Sequence, residues 1–379
     1  MAPASPTVDQ AQTPAALTTR ADTDPLVARA KAFAHEVLKP AALQTDRTGV
    51  SKATIGQLRQ LGLLNHRAPA EYGGAGLDAV SDRRIHEHIA YACLNTWLIW
   101  AQHAGTLSRF IGSPEAGERP GELAAAILRG EILAGAGVSD VRRFPDRYIA
   151  AQREPGGWRL SGTISWVSGW GLNSVLVVAA VEPSTRTVVL ALLRVDGQAR
   201  ASPLDLRAVS GSRTQRVILA DARVEDENVL DVVALERWQE RDRAQASDAG
   251  PHSFAIAAAV LDELRLEQHP LAQAVVASWE APVAQLREDA YGLAELAART
   301  TPLAHVDERI AIKVAVGEAL AVLTQSLVVA RSGRAIVGED TAQLHARNAL
   351  FVLVQGQTTY VKDAQLARLA ATNGRRGGV

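Results

Sequence analysis

The sequence predicts an α+β multidomain chain with an N-terminal all-α domain, a middle antiparallel β domain and a C-terminal four-helix bundle. Three observations predict it. From Pro25 to about Arg129, apolar residues recur at three- and four-residue spacing. From about Ile132 the period falls to two, in β-branched runs bounded by Gly, Pro and Ser-Thr turns. Beyond Val232 the helical period returns in long stretches with short breaks, the pattern of an up-and-down bundle. The expected boundaries are 1–24 for a disordered tail, 25–131 for the helical domain, 132–232 for the β domain and 233–379 for the bundle.

The opening stretch, MAPASPTVDQAQTPAALTTRADTD, is rich in Pro, Thr and Ala and has no hydrophobic period to order it. Helices follow in DPLVARAKAFAHEVL and in SKATIGQLRQLGLL, where Ser51 stands as the cap. APAEYGGAGLD breaks the pattern with Gly73, Gly74 and Gly76, which permit a tight backbone path. Helix resumes through AVSDRRIHEHIAYACLNTWLIWAQHAGTLSRFI and GELAAAILRG. The strand-like runs are RYIAAQREPGGWRLSGTISWVS, SVLVVAAVEPSTRTVVLALLRV and TQRVILADARVEDENVL. The bundle helices begin after ALERWQERDRAQASD and run to the end of the chain.

Composition excludes several classes of function. A length of 379 residues suffices for two or three packed units. The net charge of −1 offers no concentrated basic surface for phosphates, so no nucleic acid is expected. Cys93 is the only cysteine, which rules out an internal disulfide and a thiolate metal cluster. His86 and His88 lie two apart on a helix and point to different faces, so no metal site is expected. The start lacks the basic and apolar regions of a secretory signal, and the apolar runs read as too short or interrupted to cross a bilayer. A cytoplasmic protein with no membrane partner is the expectation.

SGTISWVSGWGLNSVLVVAA carries Trp166 and Trp170 around a Val-Ser-Gly step, in a run otherwise made of small and β-branched residues. Either tryptophan can fill a core. Alternatively, one indole with a hydroxyl two residues on walls a flat aromatic ligand.

The order of segments, with particular residues at the joints, resembles the acyl-CoA dehydrogenase superfamily of flavoproteins. LGLLNHRAPAEYGGAGLD is similar to the family's Leu-Gly pair followed by Pro-x-Glu-Tyr-Gly-Gly-x-Gly, and GEILAGAGVSDV to a first β strand ending in Ser-Asp. GGWRLSGTISWVSGW, RVILADARVEDENVL, ERIAIKVAVGEAL and RNALFVLVQGQT resemble four further family elements, over roughly residues 25 to 370. The resemblance implies a flavin, FAD in the first instance, with FMN or no flavin left open. It places Trp166 and Ser168 beside the flavin ring near its N5, Ser139 near the cofactor phosphates, and Thr358 near the flavin from the bundle. Trp170 has no family counterpart and reads as packing.

Two departures bear on activity. The family's Arg-x-x-Phe-Gly motif is absent from RLEQHPLAQAVVASWE, and its Gly-Gly pair is represented only by Ser332 and Gly333. Gly356 stands where many members carry the glutamate that removes the α-proton of an acyl thioester, and the flanking Gln355 and Gln357 cannot act as bases. Other members supply that acid from the first bundle helix. By that analogy Asp248 is the expected base, Asp242 the second candidate, and Arg243 the holder of a substrate carbonyl or phosphate; alternatively, Asp248 caps the helix that begins near Pro251.

The function implied is a flavin-dependent oxidoreductase acting on a small molecule such as a CoA thioester. A two-component flavin monooxygenase, fed reduced flavin, and a non-catalytic scaffold are the alternatives. The electron acceptor or flavin reductase is not readable. The fold analogy implies a homodimer or homotetramer.

Overall fold

The computed structural model describes residues 21–111 and 120–374, so the expected tail falls outside the described residues up to residue 20. Among the described residues six helices precede the sheet: α1 (Pro25–Phe33, running on through a π turn at Ala34–Leu38), α2 (Ala42–Thr48), α3 (Lys52–Gln60), α4 (Ala79–Ala92), α5 (Leu94–Ile111) and α6 (Glu122–Leu128). Their starts follow local chemistry. Asp24 accepts from the backbone N–H groups of Leu26 and Val27, with Pro25 in the first turn, and Ser51 accepts from Thr54 N–H at 3.0 Å. Asp78 does the same for α4 through Ser81 N–H at 2.8 Å. In the Gly-rich break before α4, a Cβ on Gly74 would lie 2.0 Å from the Ala68 carbonyl oxygen, so only glycine fits that crossing.

The middle segment forms one eight-stranded sheet. Its strands are β1 (Ala134–Gly137), β2 (Ala150–Glu154), β3 (Gly157–Val167), β4 (Val175–Glu182), β5 (Thr187–Arg194), β6 (Ala199–Pro203), β7 (Gln215–Glu225) and β8 (Val229–Ala234). The order is β6-β7-β3-β2-β4-β5-β8, with β1 beside β4. Most pairs are antiparallel, as expected, but β1 runs parallel to β4 and β2 makes one parallel bridge to it. A chain entering the sheet at β1 reaches β4 only after the β2–β3 hairpin, and that excursion brings β4 in parallel. β4 and β5 are apolar almost throughout because separate apolar clusters cover their two faces. Trp170 packs against one of those clusters, as its packing role anticipates.

Among the described residues six helices follow the sheet: α7 (Leu235–Ala246), α8 (Pro251–Leu266), α9 (Pro270–Arg299), α10 (Val306–Arg331), α11 (Thr341–Val354) and α12 (Thr359–Gly374). α8 to α11 form the expected bundle, and α7 and α12 flank it. α8 is apolar on nearly all sides because it lies between the bundle and α4. One core cluster runs from Leu26 through Trp100 to Val352, so the first helices and the bundle bury each other. The stretch Val306–Ile336 has a mean hydropathy of 1.6 and is long and apolar enough to cross a membrane by length and composition. This corrects the expectation that every apolar run is too short; here the helix packs against α8, α9 and α11.

Candidate active site at the junction of sheet and bundle

On the sheet side, the geometry begins with a bulge in β3. Ile164 pairs with Val217 and Val167 with Gln215, so β3 advances three residues while β7 advances two. The extra residue breaks the pleat and turns the Trp166 indole outward, leaving it 48% exposed. Ser165 turns inward and binds Asp140, donating from its N–H at 2.8 Å and its hydroxyl at 2.6 Å. That contact locks the turn Ser139–Arg143 beside Trp166, and Arg143 adds a hydrogen bond to Ser165 Oγ at 2.9 Å. Ser168 is buried, with its Oγ 2.8 Å from Thr214 Oγ1, which lies 2.7 Å from Ser212 Oγ. Three hydroxyls share two hydrogen bonds, so one O–H proton remains to be donated. Gln215 Oε1 and Asn173 Oδ1 are buried nearby without partners.

The bundle side converges on the same turn. Arg142 binds both oxygens of Asp242 on α7, each at 2.7 Å. Arg309, on α10 and 4% exposed, binds both oxygens of Asp248 at 2.7 and 3.0 Å. It also donates to the carbonyls of Ala244, Pro302 and Ala304. One turn further along α10, Lys313 Nζ donates to the Ala246 carbonyl at 2.7 Å. A Cβ on Gly356 would lie 3.6 Å from that Nζ. The Arg243 guanidinium sits over the Tyr360 ring, 4.0 Å from its centroid, and its Nε is buried without a hydrogen-bond partner.

A buried aromatic chain leads from this junction into the first helices. His252 on α8 stacks on Trp97 at 4.1 Å, and Trp97 Nε1 donates to His86 Nδ1 at 3.0 Å. That bond puts the proton of a neutral His86 on Nε2, which faces Asp82 at 3.7 Å. Asp82 also meets His66 at 2.6 Å. Burial would push the Asp82 carboxyl up, but His86 and His66 hold it down at about 2.

Burial, with the Lys313 charge, pushes His252 down to about 3 against a hydrogen bond that its ring donates to Gln355; burial pushes His103 and His88 each to about 4. The unfolded chain therefore takes up protons below its ordinary histidine value near 6.5 that the fold refuses. Stability falls as pH drops from about 6.5 toward 4, by roughly 1.4 kcal/mol per pH unit for each histidine. Urea midpoints measured across that window will decline, and His252→Asn will flatten the slope. An unchanged midpoint would contradict the buried neutral ring.

The structure thus groups the residues singled out in the sequence into two sets that meet at Arg142. Trp166, Ser168 and Ser139 lie on the sheet side; Asp242, Arg243, Asp248 and Thr358 lie on the bundle side. Both candidate bases differ from expectation in their surroundings. Each has both oxygens engaged by an arginine, so neither offers a free carboxylate. Asp248 does not cap α8 either: the N-cap is Gly250, with no side-chain bond. Thr358 Oγ1 accepts from Val361 N–H at 3.4 Å at the start of α12, and Arg243 is held against Tyr360. Arg142, Arg309 and Lys313 were not among the candidates. Their partners lie far away in sequence, and the only local hint was the resemblance of ERIAIKVAVGEAL to a bundle helix.

Residues 21–119 match the family model described as acyl-CoA dehydrogenase, N-terminal domain. The chain is 26% identical over 211 residues to the short-chain specific acyl-CoA dehydrogenase of Mus musculus mitochondria, covering 52% of this chain. In that alignment it spans about half, 50%, of the curated relative's length. Among solved structures, butyryl-CoA dehydrogenase from Megasphaera elsdenii superposes with a TM-score of 0.76 at 16% identity, over 96% of this chain and 100% of that one. Dibenzothiophene monooxygenase from Paenibacillus sp. A11-2 superposes with a TM-score of 0.75 at 17% identity, over 90% and 95%.

Proposed function

We propose that this chain, a member of the acyl-CoA dehydrogenase superfamily, is a flavin-dependent oxidoreductase acting on an acyl thioester or a related small carbonyl compound. The observation that carries the reading is the outward indole of Trp166, two residues before the linked Ser168–Thr214–Ser212 hydroxyls. A planar ring needs an apolar face, and its edge needs donors and acceptors. Trp166 supplies the face, the spare hydroxyl proton supplies a donor, and the unpartnered Gln215 and Asn173 oxygens supply acceptors. The residues present therefore fit a flavin. When bound, that group supplies hydride acceptance.

In this reading Trp166 and Ser168 orient the ring, Ser139 lies toward the phosphates, and Thr358 approaches from the bundle. Arg243, with its free Nε, is placed to hold a substrate oxygen. FAD is the cofactor proposed. FMN is the tested alternative, because the stretch lacking Arg-x-x-Phe-Gly serves local structure here: the Gln273 amide donates to the carbonyls of Leu264, Arg265 and Glu267. Val329 on α10, 71% exposed, and Ile336, 74% exposed, support assembly as a homodimer or homotetramer.

A second reading, a flavin monooxygenase, is favoured by one observation. Gly356 carries no acid and both nearby aspartates are paired, which suits chemistry that needs no carboxylate base. Visible spectra of the protein incubated with FAD, FMN and their reduced forms test both. A bound flavin band that bleaches on adding acyl-CoA thioesters supports the dehydrogenase. Binding restricted to reduced flavin, with oxygen consumption, supports the monooxygenase, and binding of neither form overturns both.

A further inference from the structure

We infer that Lys313 is the proton-transferring group of this site, standing in the space that the side-chain-free turn at Gly356 leaves open. The inference rests on the oxidoreductase reading for its place in turnover, and on geometry for its location. Nζ reaches the turn Gln355–Thr358 from α10, and it donates a hydrogen bond to a neutral carbonyl, that of Ala246. Among the described residues no carboxylate lies within ion-pair distance of it, because Arg309 and Arg142 occupy Asp248 and Asp242. The two arginines thus perform a task the sequence does not announce: they keep the acids from fixing the lysine as a paired ammonium.

The groups that face Nζ come from every element around it. Arg142 lies on the turn after β1, Asp242 on α7, Asp248 on the α7–α8 connection and His252 on α8, hydrogen-bonded to Gln355 of the turn after α11; Arg309 stands one turn earlier on α10 itself. Burial pushes the ammonium down to about 8, the Arg142 charge adds to the shift, and Asp248 and Asp242 oppose it. A substantial neutral fraction is therefore present near physiological pH. In the proposed step the neutral amine takes the α-proton of a thioester. The carbon–hydrogen bond breaks, a nitrogen–hydrogen bond forms, and the electron pair stays on the substrate as its enolate.

Two measurements on the full-length protein test this, and neither needs bound flavin. The chain has five lysines, Lys31, Lys39, Lys52, Lys313 and Lys362, so competitive acetylation read residue by residue by mass spectrometry resolves each one. Lys313 will half-react near pH 8. If it half-reacts only near the ordinary lysine value of about 10.4, the inference fails.

The second measurement is α-deuterium uptake by butyryl-CoA in heavy water. The wild-type protein will catalyse it with a rising limb near pH 8, and Lys313→Gln will lose about 10²–10⁴-fold. Lys313→Met serves as a second variant, and the acetylation profile decides the matter on wild-type protein should neither variant fold. No exchange by the wild type, or exchange retained in a folded variant, overturns the inference. Flavin binding separates the two claims. Protein that binds flavin but exchanges without Lys313 keeps the oxidoreductase reading and loses this one; protein that exchanges through Lys313 but binds no flavin does the reverse.

Discussion

Replacing Glu87 with glutamine will lower the stability of the fold by about 3–5 kcal/mol, the range for breaking one side of a buried ion pair. Glu87 lies buried on α4, where burial alone would push its carboxyl up. The Arg287 hydrogen bonds and charge, with Arg84, instead hold it below the ordinary value. Arg287 donates to it at 2.5 and 2.9 Å, Tyr291 at 2.6 Å, and Arg84 from the same helix. The glutamine keeps the shape but removes the charge, which leaves the Arg287 guanidinium uncompensated where α4 meets α9, while Arg84 keeps its ion pair with Asp22 at 2.7 Å. Tyr291→Phe, which deletes one hydrogen bond and no charge, will cost about 1 kcal/mol. Chemical denaturation of the two variants should show that ranking, and equal costs would mean that the carboxylate acts only as a hydrogen-bond acceptor.

Arg309→Leu will cost about 3 kcal/mol, toward the lower end of the same range because Asp248 keeps 31% of its side chain exposed and water shares the load. The loss extends beyond the pair. Arg309 also ties the Ala244, Pro302 and Ala304 carbonyls together, and Ala244 lies two residues before Ala246, whose carbonyl holds Lys313. Freed Asp248 then becomes available to pair with Lys313. The lysine's acetylation midpoint should move upward as the stability falls, and the double variant Arg309→Leu with Asp248→Leu should recover part of both. A midpoint unchanged in the single variant would show that Asp248 does not reach the amine.

The fold was legible where the signals were local. Ser51 caps α3 because a serine before an apolar-periodic run has an N–H within reach, and the change of period near Ile132 foretells β1 at Ala134. The parallel β1–β4 pair was not legible, since an alternating pattern carries no strand direction. Trp166 and Ser168 could be singled out because they share one strand, although the bulge that turns the indole outward depends on pairing with β7. The bundle side shows the opposite case. Asp248 has an acidic side chain near a helix start, which equally suits a base and a cap; in the fold Gly250 takes the cap position and Arg309 binds both Asp248 oxygens. Its partner Arg309 lies 61 residues on, a separation no local pattern spans. Lys313 was hidden for the same reason: its meaning comes from burial, a carbonyl before α8 and a glycine after α11.

The central claim, a flavin held on the outward face of Trp166, is tested most directly by flavin fluorescence titration of the wild-type protein and of Trp166→Ala. Saturable quenching by the wild type, weakened about tenfold in the variant as loss of one aromatic stacking face implies, is the predicted result. Equal affinity in both proteins, or no saturable binding of FAD or FMN in either redox state, would contradict it.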